Sequence, residues 1–354
     1  MKTNKRLTQR VFIKTAIIAA FLLTPWIILN AQDYTKTFDG KYDVDKGASL
    51  VIKNKFGDVK CVVWDQNIVS INVTVNVEAS SQERANKIFD KIQVDLSGTR
   101  SKVEGTTEVG SINNADFSIN YDIRLPRWIN IDLYNQFGDI YVDEIDGTTK
   151  IRLEYGAMEA NSFNGAGTEL TIKFSDVETG YIQDGNLNLE YSEFDLKGAE
   201  KIKVYSRFSE LDIEKLAGLN LDSQYDEVNI ESAGQVISVS RFSGLDFEKI
   251  NGDFDFDIEY GELNVEYIAA SFKTGKVRNT FAGADLIFDP KSSLSLDAEL
   301  EFGDLDYPKA NSMNHETVDY TTNIYKGKLG GASSTPSQLT ITSKNSNVSI
   351  SFSE

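Results

Sequence analysis

The chain has 354 residues, a formal charge of −18, one histidine and one cysteine. That inventory leaves almost no material for a His-based zinc site or a Ser-His triad, and it rules out an intramolecular disulfide. The acidic field repels nucleic acid, acidic polysaccharide and anionic lipid, while 40% hydrophobic residues argue against disorder.

Residues 1–31 read as a secretory leader. Lys2, Lys5, Arg6, Arg10 and Lys14 form a basic start, Ala16 to Leu29 an apolar stretch, and Ala31 a small residue at the cleavage point. The 14 residues of that stretch, broken by Pro25, fall short of the about 20 that span a bilayer; an uncleaved anchor is the alternative. No cysteine stands at the cleavage point to carry a lipid. Losing the leader's five basic residues takes the remainder to about −23. The expected location is outside the cytoplasm: periplasm, outer-membrane surface or secreted, with no transmembrane span in the mature chain.

Residues 32–130 are expected to form a β-rich N-terminal cap. Ser49 to Ile52 leads into Lys55-Phe56-Gly57-Asp58-Val59, and Cys61 shares a strand face with Val59 and Val63, as a small buried residue would. Ile71, Val73, Val75 and Val77 alternate on one strand face. Ser81 to Lys91 is the one short helix, with Ala85, Ile88 and Phe89 at helical spacing.

Residues 131–308 carry a repeat: an aromatic, a small residue, a polar or small residue, then an apolar one. Its copies begin at Phe137, Tyr155, Phe174, Tyr191, Phe208, Tyr225, Phe242, Tyr260, Phe281 and Phe302. The steps are 18, 19, 17, 17, 17, 17, 18, 21 and 21 residues, too short for propeller blades. Apolar residues alternate with period two, as Leu187, Leu189 and Tyr191 do, which excludes a helical repeat. The phase shifts after Ser192-Glu193, as at a corner between two short strands, and turns such as Lys197-Gly198-Ala199 and Ala217-Gly218 are expected to close each unit. Units this short bury their apolar side only by stacking. The expected fold is therefore all-β, a single-stranded parallel β-helix, right-handed by the usual crossover rule.

The residue before each aromatic predicts a structural ladder: Glu154, Lys173, Glu190, Arg207, Gln224, Arg241, Glu259. Opposite charges on successive rungs contribute about 0.2–1 kcal/mol each, so an in-register stack favours this alternation. Beyond Asp304, a polar loop over about 309–322, including His315, is expected, and 309–354 as a whole reads as a closing coil and C-terminal cap.

These corners, Asn135-Gln136-Phe137-Gly138-Asp139-Ile140 above all, and the Gly-rich Tyr325 to Gly331 before a last pair of strands resemble the putative-adhesin domain of unknown function. It is an exported β-helix family common in Bacteroidetes. The resemblance covers nearly all of the mature chain and implies a β-helix and export. It supplies no catalytic residues. The Ser-Glu corners depart from the commoner Gly-Asp pair.

One row stands out as candidate chemistry: Asp139, Asp176, Glu193, Glu210, Glu227, Glu262 and Asp304, each two residues after the aromatic. Stacked in register, Asp176 to Glu227 put four carboxylates in line, where Ca²⁺ is the conceivable ligand; solvated, splayed side chains are the plainer alternative. No cofactor is otherwise implied. Asp253, Asp255 and Asp257 imitate a calcium loop, but Ile258 and Asn264 occupy its essential Gly and Glu positions, so they read as an outward stripe. With no catalytic constellation, the expected function is a non-enzymatic, adhesin-like envelope module with a cell-surface partner. An envelope sensor or scaffold is the alternative, and a polysaccharide-cleaving β-helix enzyme a weaker third, since short turns leave no groove-forming loops.

Overall fold

The computed structural model describes residues 32–309, 312–331 and 335–354; the expected leader lies outside them. The chain is all-β, with one helix among the described residues and a long open sheet that does not close on itself.

The N-terminal part is antiparallel at its outer edge. Gln32–Asp43 pairs with Ile68–Ala79, which pairs with Asp116–Pro126. Ile71, Val73, Val75 and Val77 are all buried, as strict alternation on a half-buried strand requires. The helix runs Gln82–Phe89 and buries Ala85 and Phe89; Ser81 caps it by accepting from the Arg84 N–H.

From Asn130 onward nearly every pairing is parallel, each residue meeting its counterpart one repeat on. Asp176–Glu190 pairs with Glu193–Arg207, that strand with Glu210–Gln224, and that in turn with Glu227–Arg241. Leu187, Val204, Leu221 and Ser238 share one row, and Phe194, Leu211, Val228 and Leu245 another. All eight are buried, and all but Ser238 are apolar. Full burial of such a side chain contributes about 1.5–3 kcal/mol, and here the burying surface is supplied by the neighbouring repeats.

Three features differ from the sequence expectation. The turns expected at Lys197-Gly198-Ala199 and Ala217-Gly218 lie inside continuous 15-residue strands. The alternation merely skips there, from Leu196 to Ala199 and Ile202, because in-register neighbours supply the hydrogen bonds that would otherwise require a tight turn. The polar loop expected near 309–322 contains a strand, Met313–Val318, paired antiparallel with Thr322–Gly330. Polar composition does not prevent an exposed edge strand when a partner strand supplies its hydrogen bonds. Finally, the layer after Phe281 is not the Phe302 repeat. Ser337–Lys344 pairs with Thr274–Thr280, and Val348–Phe352 with Gly283–Phe288. The C-terminal corner at Asn345 is thus interposed between the Phe281 and Phe302 corners.

Candidate interaction surface

Every corner aromatic from Phe56 to Phe302 adopts a left-handed backbone, with φ between 50° and 65°. Bulky residues rarely adopt this conformation. Here it turns each ring out of the strand and onto the ring of the next layer. Ten rings, Phe56, Phe137, Tyr155, Phe174, Tyr191, Phe208, Tyr225, Phe242, Tyr260 and Phe281, stack with centroids 4.8–5.4 Å apart and planes within 13°. Neighbours cover the ring faces, so the edges meet solvent; Tyr191 is 47% and Phe208 46% exposed. Asn345 interrupts the series with the same left-handed corner, a conformation Asn tolerates.

The residue after the aromatic decides how the corner is held. In Ser corners the hydroxyl donates to the carbonyl two residues back and accepts the backbone N–H of the previous layer. Ser192 Oγ donates to the Glu190 carbonyl at 2.9 Å and accepts from the Ser175 N–H at 3.3 Å. Ser209 does the same with Arg207 and Ser192. In Gly-Asp corners a Cβ is impossible: one on Gly138 would lie 2.2 Å from the Gly57 carbonyl oxygen. There the following Asp takes over. Asp58 Oδ1 accepts from the Asp139 N–H at 2.9 Å, and Asp139 Oδ1 from the Ala157 N–H at 2.8 Å.

This exchange sorts the acidic row. Asp139 is tied to the backbone, and Asp304 accepts from Tyr325 Oη and Asn323 Nδ2. Asp176, Glu193, Glu210 and Glu227 lie in register on successive strands, are exposed, and take part in no side-chain hydrogen bond or ion pair among the described residues. Glu262 is equally free but is separated from them by Gly244. No group of three His, Cys, Asp or Glu side chains among the described residues is gathered to hold a metal ion.

Two further carboxylate rows, which the sequence reading missed, run beside the first. Glu178, Asp195 and Asp212 pair in register, continuing through Asn229 to Asp246; Glu214, Glu231, Glu248 and Glu266 follow two positions on. The 17-residue spacing of Asp195, Asp212 and Asp246 with Asn229 was the available signal. These rows line a groove of about 680 Å³ whose one cation is Lys197. Partial burial, then the negative charges of Asp212 and Glu178, hold the Asp195 carboxyl above the ordinary aspartate value. Glu210 is raised likewise, first by desolvation and then by Asp212, Glu227 and Glu193.

The charge ladder lies on the other side of the aromatics. Glu154, Lys173, Glu190, Arg207, Gln224, Arg241 and Glu259 occupy consecutive rungs. Salt bridges form at Lys173–Glu190, 2.7 Å, and Arg241–Glu259, 3.5 Å; Arg207 donates to Gln224 Oε1. Asp255 and Asp257 point outward and both bind Arg278, while Asp253 accepts from the N–H groups of Lys273 and Thr274. Cys61 is fully buried, and burial pushes its thiol pKa up to about 12.

The molecule is thus an all-β protein with an extended, regular outer surface. No protein-family model matches the chain, and no curated protein matches it. Solved structures similar to it, at low sequence identity, are named adhesins of putative function. One is a putative cell adhesion protein from Clostridium sporogenes, 11% identical, covering 91% of this chain and 100% of its own, TM-score 0.19. A putative adhesin from Parabacteroides distasonis is 9% identical over 65% of this chain and 96% of its own, TM-score 0.38. A third, from Bacteroides fragilis, is 10% identical over 90% and 97%, TM-score 0.31. No described helix is long and apolar enough to cross a membrane.

Proposed function

We propose that the protein is a non-enzymatic, exported binding module of the cell envelope, adhesin-like in use. Residues 1–31 are its leader and 32–130 its N-terminal cap. Residues 131–308 wind as a right-handed parallel β-helix, and 309–354 close it. The winding is supported by parallel pairing at offsets of one repeat and by the ring-on-ring stack. One observation carries the function: rows of solvent-facing aromatics and free carboxylates recur at the layer spacing over much of the length, on a face whose own fold makes no use of those carboxylates. An extended, repetitive surface suits contact with an extended partner. Retention of envelope components on the immobilised protein tests it; an envelope extract from which nothing is specifically retained would overturn it.

A further inference from the structure

We infer that the strip formed by the stacked ring edges and the adjoining carboxylate rows, from Phe174 to Glu262, is a docking surface for a basic, extended polypeptide segment. This rests on the binding-module reading and names its partner class. Ser192, Ser209 and, at the third corner, Asp226 take the neighbouring N–H, which releases Glu193, Glu210 and Glu227 from the capping that occupies Asp58 and Asp139, so these carboxylates form no bond among the described residues. They stand beside Asp195 and Asp212, with Lys197 the only cation lining the groove; Asp195 and Glu210 are raised first by desolvation and then by repulsion from the neighbouring carboxylates. A cationic partner relieves that repulsion; a neutral or acidic one does not.

The rings choose among cationic partners. Sugars and ammonium groups stack on ring faces, and along this ladder each face is covered by a ring 4.8–5.2 Å away. The exposed edges carry the positive part of the ring quadrupole, which suits peptide carbonyl oxygens and aliphatic side chains. Backbone over the ring edges with lysine or arginine over the carboxylates satisfies both rows. The six layers from Phe174 to Tyr260, about 5 Å apart, form a strip long enough for a segment of roughly seven or eight extended residues.

The test uses the purified protein with a labelled nine-residue oligoarginine and an oligoglutamine of equal length. Only the former is expected to bind, more weakly as salt rises. Glu193→Gln, Asp195→Asn, Glu210→Gln and Glu227→Gln together should lower its affinity at least about tenfold. Asp33→Asn, Glu78→Gln, Glu108→Gln and Asp116→Asn together, which remove the same charge elsewhere, should lower it less than about threefold. Phe208→Asn with Phe242→Asn keeps a residue tolerant of positive φ and should also weaken binding. Equal losses in the two charge variants overturn the inference, as does neutral-glycan binding that depends on the rings alone. The same variants are then tested for retention of envelope components. Undiminished retention by the strip variant sinks the basic-partner inference but leaves the binding module. Strip-specific oligoarginine binding with nothing retained from the envelope does the reverse.

Discussion

The backbone N–H of Ser209 donates to Oδ1 of Asp226 at 2.9 Å, in the position where the neighbouring corners offer a serine hydroxyl. Asp226 is buried, and its other oxygen accepts from Ser223 Oγ and the Gln224 N–H at 2.7 and 2.9 Å. Both oxygens thus face donors. Asp226→Asn turns one donor pair towards an NH₂ group and should cost about 1–3 kcal/mol. Asp226→Ser restores the neighbouring corner pattern and should cost less. Denaturant unfolding of both variants checks the order; a better-tolerated Asn would mean the carboxylate is not held as described.

Acidification should stabilise the fold through the carboxylates that titrate high. Burial, against the bonds from Ser223 and the Ser209 and Gln224 N–H groups, raises Asp226; Asp195 and Glu210 are raised as described above. Each binds protons more tightly folded than unfolded. Their contribution is therefore fully present below the ordinary carboxylate pKa and is lost as pH rises through the raised folded values. Relative to the wild type, Asp195→Asn with Glu210→Gln should raise Tm at neutral pH and lose that advantage on acidification through this window. A pH-independent difference in Tm would exclude the like-charge cause.

Stacking predicts a position effect. Phe208 has a ring on each side, Tyr191 and Tyr225, whereas Phe281 stacks only on Tyr260 because Asn345 follows it. Each such pair adds about 0.5–1.5 kcal/mol beyond area burial. Phe208→Ala should therefore cost about one pair more than Phe281→Ala, since both leave alanine at a similar φ. Equal losses would show that the rings contribute only by individual burial.

How much of this could be read from the chain follows from which interactions are local. The aromatic period, the alternation of Leu187 and Leu189, and the Ser81 helix start are set by residues near in sequence, so composition and spacing reveal them. Layer order is not local. Strands Ser337–Lys344 and Val348–Phe352 return past a hairpin to lie on Thr274–Thr280 and Gly283–Phe288, and their corner carries Asn345 where the other corners carry an aromatic. The division of the acidic row was hidden for another reason. Whether a carboxylate is free depends on which corner side chain accepts the neighbouring layer's N–H, the residue before it, as at Ser192 and Asp226, or the carboxylate itself, as at Asp139, a rule that appears only with those bonds in view.

That rule makes the two kinds of glycine corner separable. A Cβ on Gly138 would sit 2.2 Å from the Gly57 carbonyl oxygen, and that atom belongs to the backbone of the adjoining layer, which cannot move without shifting the strand pairing around it. A Cβ on Gly244 meets nothing within 4 Å, because there the corner contact is made one residue earlier, by Ser243. Gly138→Ala should therefore destabilise by about 3 kcal/mol or more, while Gly244→Ala should be within about 0.5 kcal/mol of the wild type. Gly244→Glu goes further. It fills the gap between Glu227 and Glu262 in the row, should leave the fold intact, and should tighten oligoarginine binding. Urea unfolding of the three variants, with oligoarginine titrations on the last, decides the matter; comparable losses at Gly138 and Gly244 would mean that the close approach at the Gly-Asp corner is not what excludes a side chain there.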